Sequence, residues 1–280
     1  MSRIVRSRAW GAFLRASLVA LVVALPQLLL GQGSGGAAQV VVLVALLAAL
    51  YTFSEYAAEA PSVLEFRDAR PYNRLRVGTL LAAVAVACAM LRPDWSHAAA
   101  AQPVRWLGET WARLLDLPWS PVHHLLSTLP PGADARLAQA LFAAAAAAYG
   151  LSLLMVLVFA LVIRLQRWPG HSAFNVWVNL PQFDPTSGGD VVQRLHQNAL
   201  VNVSLGFLLP LIVPIVADVL RVAFDGPALR DPAALVWVVV AWAFIPASLA
   251  MRGLALHRLA QMIAAHRVRL QRASGLAQPA

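Results

Sequence analysis

Apolar residues gather in six nearly uncharged runs, Ala9–Leu30, Ala37–Phe53, Val77–Leu91, Leu137–Ile163, Ala199–Ala217 and Ala233–Met251. Each is close to the length that a hydrocarbon core of about 30 Å demands of a helix. The pattern predicts an all-α polytopic bundle of six transmembrane helices, a single integral membrane domain over residues 1–280. The glycine-rich turn Gly31–Gly36 is too short for anything but an antiparallel hairpin between the first two spans. The first span also has the layout of a secretory signal, with a basic stretch to Arg15, the run Ala16–Leu30 and small residues at Gly35–Ala38. Cleavage there would leave five spans and the same remaining topology.

The polar segments between the runs carry their own patterns. In the outer link 92–136, Val104, Leu107, Trp111 and Leu114 recur at three and four residues, opposite Arg105, Glu109, Arg113 and Asp116. This predicts an amphipathic helix from Pro103 to Pro118 that lies on the membrane surface, with Trp111 toward lipid and Glu109 toward water. His123 and His124 project about 100° apart on a helix, which suits interfacial side chains better than one metal. In the inner link 54–76, Ser62 and Glu65 have the spacing of a capping box, predicting a short surface helix that ends at Pro71. Glu55 and Glu59, four apart on an extension of the second span, are expected to share a face. A salt-bridged collar with neighbouring arginines is the plain reading, and a metal-binding carboxylate pair the sharper one. Arg67, Arg70 and Arg74 are expected to meet lipid phosphate or a partner's acidic surface.

In the second inner link, 164–197, the alternation from Asn175 to Leu180 predicts a short extended segment. Asp184-Pro185 and Ser187–Gly189 follow as turns, and Asp190 with Gln193 as a helix cap. The Ser-Gly-Gly turn could hold an anion on backbone N–H groups, but it lacks the lysine and longer glycine pattern of phosphate loops. Span five places Asn198, Asn202, Gly206, Pro210, Pro214 and Asp218 every four positions, so the first three share a face. Small and polar residues favour helix packing over a ligand site, and the Asn198–Asn202–Gly206 face is expected to meet a partner membrane protein or a neighbouring helix. After the sixth span, Leu256, Leu259, Ile263 and Leu270 interleave with Arg258, Arg267, Arg269 and Arg272. That tail, 252–280, is expected to lie along the inner membrane surface or against a partner's helix.

Composition fixes the orientation. The chain is 60% hydrophobic and 12% charged, with net charge +9 and mean hydropathy +0.66. All 22 basic residues are arginine, and only Arg92, Arg105, Arg113, Arg136, Arg221 and Arg230 fall on the side opposite the N-terminus. The positive-inside rule therefore predicts cytoplasmic termini. The alanine- and arginine-rich usage of a GC-rich genome points to a bacterial inner membrane. Arginines flanking apolar spans are expected to meet anionic lipid head groups, and no nucleic acid is expected. The single cysteine, Cys88, excludes an internal disulfide or a CxxC centre.

No Asp, Glu, His or Arg lies near the middle of a span, and no inverted repeat is visible, which argues against ion-coupled transport. The seven histidines sit in loops or at span ends, and no HExxH, GxSxG or phosphate-loop motif occurs. No metal or cofactor is expected, although His196 and His257 share the inner interface, where a peripheral group could sit. The expected function is a non-catalytic accessory, assembly or structural subunit of a larger membrane complex. The alternatives are a small-solute permease or channel, and a lipid-active membrane enzyme with Glu55, Glu59, His171 or His196 as its reactive groups.

Overall fold

The computed structural model describes residues 2–31, 35–67, 69–92, 99–127, 134–165, 168, 179–181, 183, 188–220 and 231–276. Among them are eight α-helices and no strands: α1 (Ser2–Leu30), α2 (Gly35–Ala57), α3 (Arg70–Leu91), α4 (Gln102–Leu115), α5 (Pro121–Ser127), α6 (Ala135–Leu165), α7 (Val191–Leu220) and α8 (Pro232–Leu276). All but α4 and α5 are long and apolar enough to cross a membrane. The chain is a helical membrane bundle. Of the extended segment expected at 175–180, residues 175–178 lie outside the described residues and Asn179 is helical, while of the turns expected at 184–185 and 187–189 only Gly188 and Gly189 are described, and they form a bend.

Helix starts follow from local chemistry. Asp134, Asp190 and Asp231 each accept a backbone N–H from the first turn of α6, α7 and α8, from Arg136, Gln193 and Ala234 respectively, at 3.0, 3.3 and 3.0 Å. The cap expected at Asp190 is present. Pro71 occupies the first turn of α3, where its missing N–H costs nothing. It therefore opens a helix where the sequence suggested that one closed.

Helices α3, α6 and α8 form the centre, the α1–α2 hairpin leans on α3, and α7 packs along α8. Ala143–Ala148 are all buried. Six consecutive residues sweep well over one full turn, so α6 is enclosed on every side at this level, and methyl side chains let its neighbours come close. Helices α7 and α8 interlock more tightly. A Cβ on Gly206 would stand 2.7 Å from the Pro246 carbonyl oxygen, and one on Gly253 2.7 Å from that of Ala199. Pro214 cannot donate to the Pro210 carbonyl one turn earlier. The Trp242 indole N–H of α8 donates to it instead, at 3.1 Å.

The amphipathic α4 is present, but it docks into the bundle and does not float on its surface. Gly150 of α6 leaves a notch for the Trp111 ring, which an added Cβ would meet at 2.3 Å. Trp111 is thus turned toward protein, correcting its expected exposure to lipid, while Glu109 is exposed as expected. Trp106 and Trp119, 63% and 71% exposed, remain as aromatic side chains suited to a head-group layer. The basic tail continues the sixth span without a break as the last part of the 45-residue α8.

Candidate functional site at the arginine-rich end

At the arginine-rich end of the bundle, several polar side chains bond the chain's own backbone. The Glu55 carboxylate, buried at the end of α2, accepts the N–H groups of Ser62, Val63 and Leu64 at 3.0, 3.2 and 3.0 Å, and the Ser62 hydroxyl as well. Four donors on one carboxylate fold the link 58–64 into a cup around it. Glu59 lies beyond the end of the helix at Ala57 and is exposed. The two acids therefore do not share a helical face, and the expected metal pair and salt-bridged collar both give way to a carboxylate bonded by backbone N–H groups. Ser62 turns back to Glu55 and does not cap a new helix. Residues 58–67 are bends and turns, so the short surface helix expected there is absent.

Arg67 donates to the carbonyls of Glu55, Ala58 and Glu59 at 3.1, 2.8 and 3.0 Å. A cation there satisfies the terminal carbonyls of α2 and meets the negative end of its dipole. The guanidinium expected to hold lipid phosphate or a partner is engaged within the chain. Arg74 is exposed on α3, and the side chain of Arg70 lies outside the described residues.

Phe66 plugs the bundle at this end. It is fully buried and has a left-handed backbone, φ 56°, which a bulky residue adopts only where its surroundings enforce it. Its N–H donates to the Asn179 carbonyl at 2.7 Å, while the Asn73 side-chain amide donates to the Phe66 carbonyl at 2.7 Å and to that of Arg67 at 3.0 Å. The ring meets Tyr72 and Trp168, with centroids 4.8 and 6.2 Å away, and Phe159 touches both of those, at 5.4 and 5.3 Å. Two arginines of α8 complete the assembly. Arg252 forms a two-pronged pair with Glu65, and Arg258 donates to the Trp168 carbonyl at 3.1 Å.

Asn202 is buried and its amide donates back to the Asn198 carbonyl at 2.7 Å, with Asn198 exposed. Gly206 faces Pro246 and Ala250. Of the two expected occupants, a partner protein or a neighbouring helix, the close backbone approach at Gly206 is made by the neighbouring α8, so this face is an internal seam.

One polar patch remains on the outer surface of the same end. His196 of α7 and His257 of α8 are exposed and lie side by side, with ring centroids 4.9 Å apart and planes tilted by 36°, and the Gln261 amide nitrogen lies 2.9 Å from His257 Nε2. A shallow groove lined by Asp190, Gln193, His196, Gln197 and Leu200 runs beside them. Asp190 pairs with Arg267. That hydrogen bond, with backbone N–H groups of Val192 and Gln193, holds the Asp190 carboxyl below its ordinary range. Sequence reading found the two histidines but missed Glu65–Arg252 and Asp190–Arg267, whose partners lie 187 and 77 residues apart. Among the described residues no three His, Cys, Asp or Glu side chains gather as a metal site. Compared with known proteins, the chain matches no family model, no curated protein and no solved structure.

Proposed function

We propose that this protein is a non-catalytic subunit of a larger membrane complex, in a bacterial inner membrane with its arginine-rich end in the cytoplasm, and that its last helix is the arm that holds a partner. The observation that carries the reading is the length of α8. Its 45 residues amount to about 67 Å of helix at 1.5 Å per residue, more than twice a hydrocarbon core of about 30 Å. The excess leaves the bundle. Helix α7 begins at Val191, and Asp190 just before it pairs with Arg267. From Ala265 to Ala273 every residue of α8 is exposed.

That arm is strongly one-signed. It carries His266, Arg267, Arg269 and Arg272, and no acidic residue follows Asp231. Running on from a membrane-spanning helix, it carries Arg269 and Arg272 away from the bilayer core, toward an acidic protein surface. Arg74 and other arginines nearer the apolar belt are left for anionic lipid head groups. The reading also accounts for the inward-turned polar chemistry, since Glu55, Arg67 and Glu65 stiffen a platform at the base of the arm.

Orientation is tested with reporter fusions. One placed after Asp68 or Gly189 should report the cytoplasm, and one after Gly35 or Asp116 the periplasm. A periplasmic signal at Asp68 would overturn the topology. Function is tested by mild extraction from native membranes, where a subunit emerges with companions in fixed ratio and a permease or lipid-active enzyme emerges alone.

A further inference from the structure

We propose that His196 and His257 bind a borderline-soft transition-metal ion, such as zinc or copper, and that this ion clamps the start of α7 to the base of the projecting arm of α8. Imidazole is a preferred ligand for these metals. Two imidazoles on one tetrahedral ion, each bound through a nitrogen at about 2.1 Å, hold their ring centres roughly 5 Å apart. The observed separation is 4.9 Å, between side chains of different helices, both open to solvent. The separation of the rings is the spacing that chelation requires.

The surroundings supply the supporting contacts. Gln261, one turn beyond His257, has its amide against Nε2. With that amide turned so that its oxygen accepts the Nε2 proton, Nδ1 is the free metal-binding nitrogen, the second-shell arrangement common to ligating histidines. Gln193, one turn before His196, lines the same groove. Among the described residues no third His, Cys, Asp or Glu completes the set, so water fills the remaining positions and the ion exchanges readily. The backbone seam of Gly206 and Gly253 holds the two helices together deeper in the bundle. The Asp190–Arg267 pair closes them above. A metal at His196 and His257 adds a third tie between these two and stiffens the arm where it leaves the bundle.

The test uses the full chain without a histidine tag, in detergent, with one equivalent of Cu2+ read by electron paramagnetic resonance. The expected spectrum shows two imidazole nitrogens on the copper, and the thermal unfolding midpoint rises with added zinc. His196→Ala and His257→Ala should each weaken copper binding at least tenfold and abolish the zinc-dependent rise, while a His123→Ala/His124→Ala control keeps both. These are exposed positions, and equal midpoints of all variants without metal will establish that the fold is intact. Absence of imidazole nitrogens in the wild-type spectrum would overturn the proposal, as would binding that survives either single substitution. The result does not depend on whether a partner protein is found.

Discussion

Gly206→Ala should lower the stability of the isolated protein by about 2–3 kcal/mol, a typical cost of forcing one extra carbon into a filled interior. The new Cβ would stand 2.7 Å from the Pro246 oxygen and 2.9 Å from the Ala250 nitrogen. Those are backbone atoms that no rotamer change can move aside, so α7 and α8 must separate along a seam that has no other give. Gly253→Ala should act in the same direction, because its Cβ would meet the Ala199 oxygen at 2.7 Å. The pair should be less than additive, since the first substitution already opens the seam used by the second. Equilibrium unfolding in mixed micelles measures the loss. A Gly206 variant of wild-type stability that failed only to retain a companion would show that this face points outward, contrary to the packing described.

Phe66→Ala should cost about 3–5 kcal/mol, the range for emptying a buried aromatic site. The ring fills the space between Tyr72 and Trp168, and its loss leaves a void at the point where the two arginine-rich links meet. Alanine retains the burden of a left-handed backbone, so the effect reports packing and not relief of strain. Phe66→Leu, which refills most of the volume, should cost less than about 1.5 kcal/mol. Unfolding midpoints of the two variants against wild type check the order. A Phe66→Ala loss below that of Phe66→Leu would mean that the aromatic cluster is not what closes this end.

The spans were legible because a bilayer imposes length and polarity on every helix that crosses it, whatever its neighbours are. Their continuations were not. The tail of α8 has charges at near-helical spacing, and that pattern is the same for a helix lying on a membrane and for one standing out of it. The local motifs at the arginine-rich end failed for a different reason. Ser62 and Glu65 have capping-box spacing, but Ser62 bonds Glu55 and Glu65 bonds Arg252. A two-pronged guanidinium pair is a strong alternative to a single backbone N–H for Glu65, and tertiary distance is invisible to spacing. Trp111 shows the same limit, since the notch at Gly150 that receives it comes from another helix. Asp190 as a cap and His196 near His257 were readable because each depends only on local sequence or on which side of the membrane a residue occupies.

Binding of the α8 arm to an acidic protein surface should be lost on charge reversal at its exposed end. Arg269→Glu/Arg272→Glu changes two exposed side chains beyond the last tie to α7, so the bundle itself should keep its wild-type unfolding midpoint. Wild type and variant are extracted from native membranes in mild detergent, and the mass and composition of each particle are determined by native mass spectrometry. The account predicts a wild-type particle well above the 30.0 kDa of the chain, with a second protein in fixed ratio that the variant loses. A wild-type particle containing this chain alone, or a companion retained equally by the variant, would contradict it.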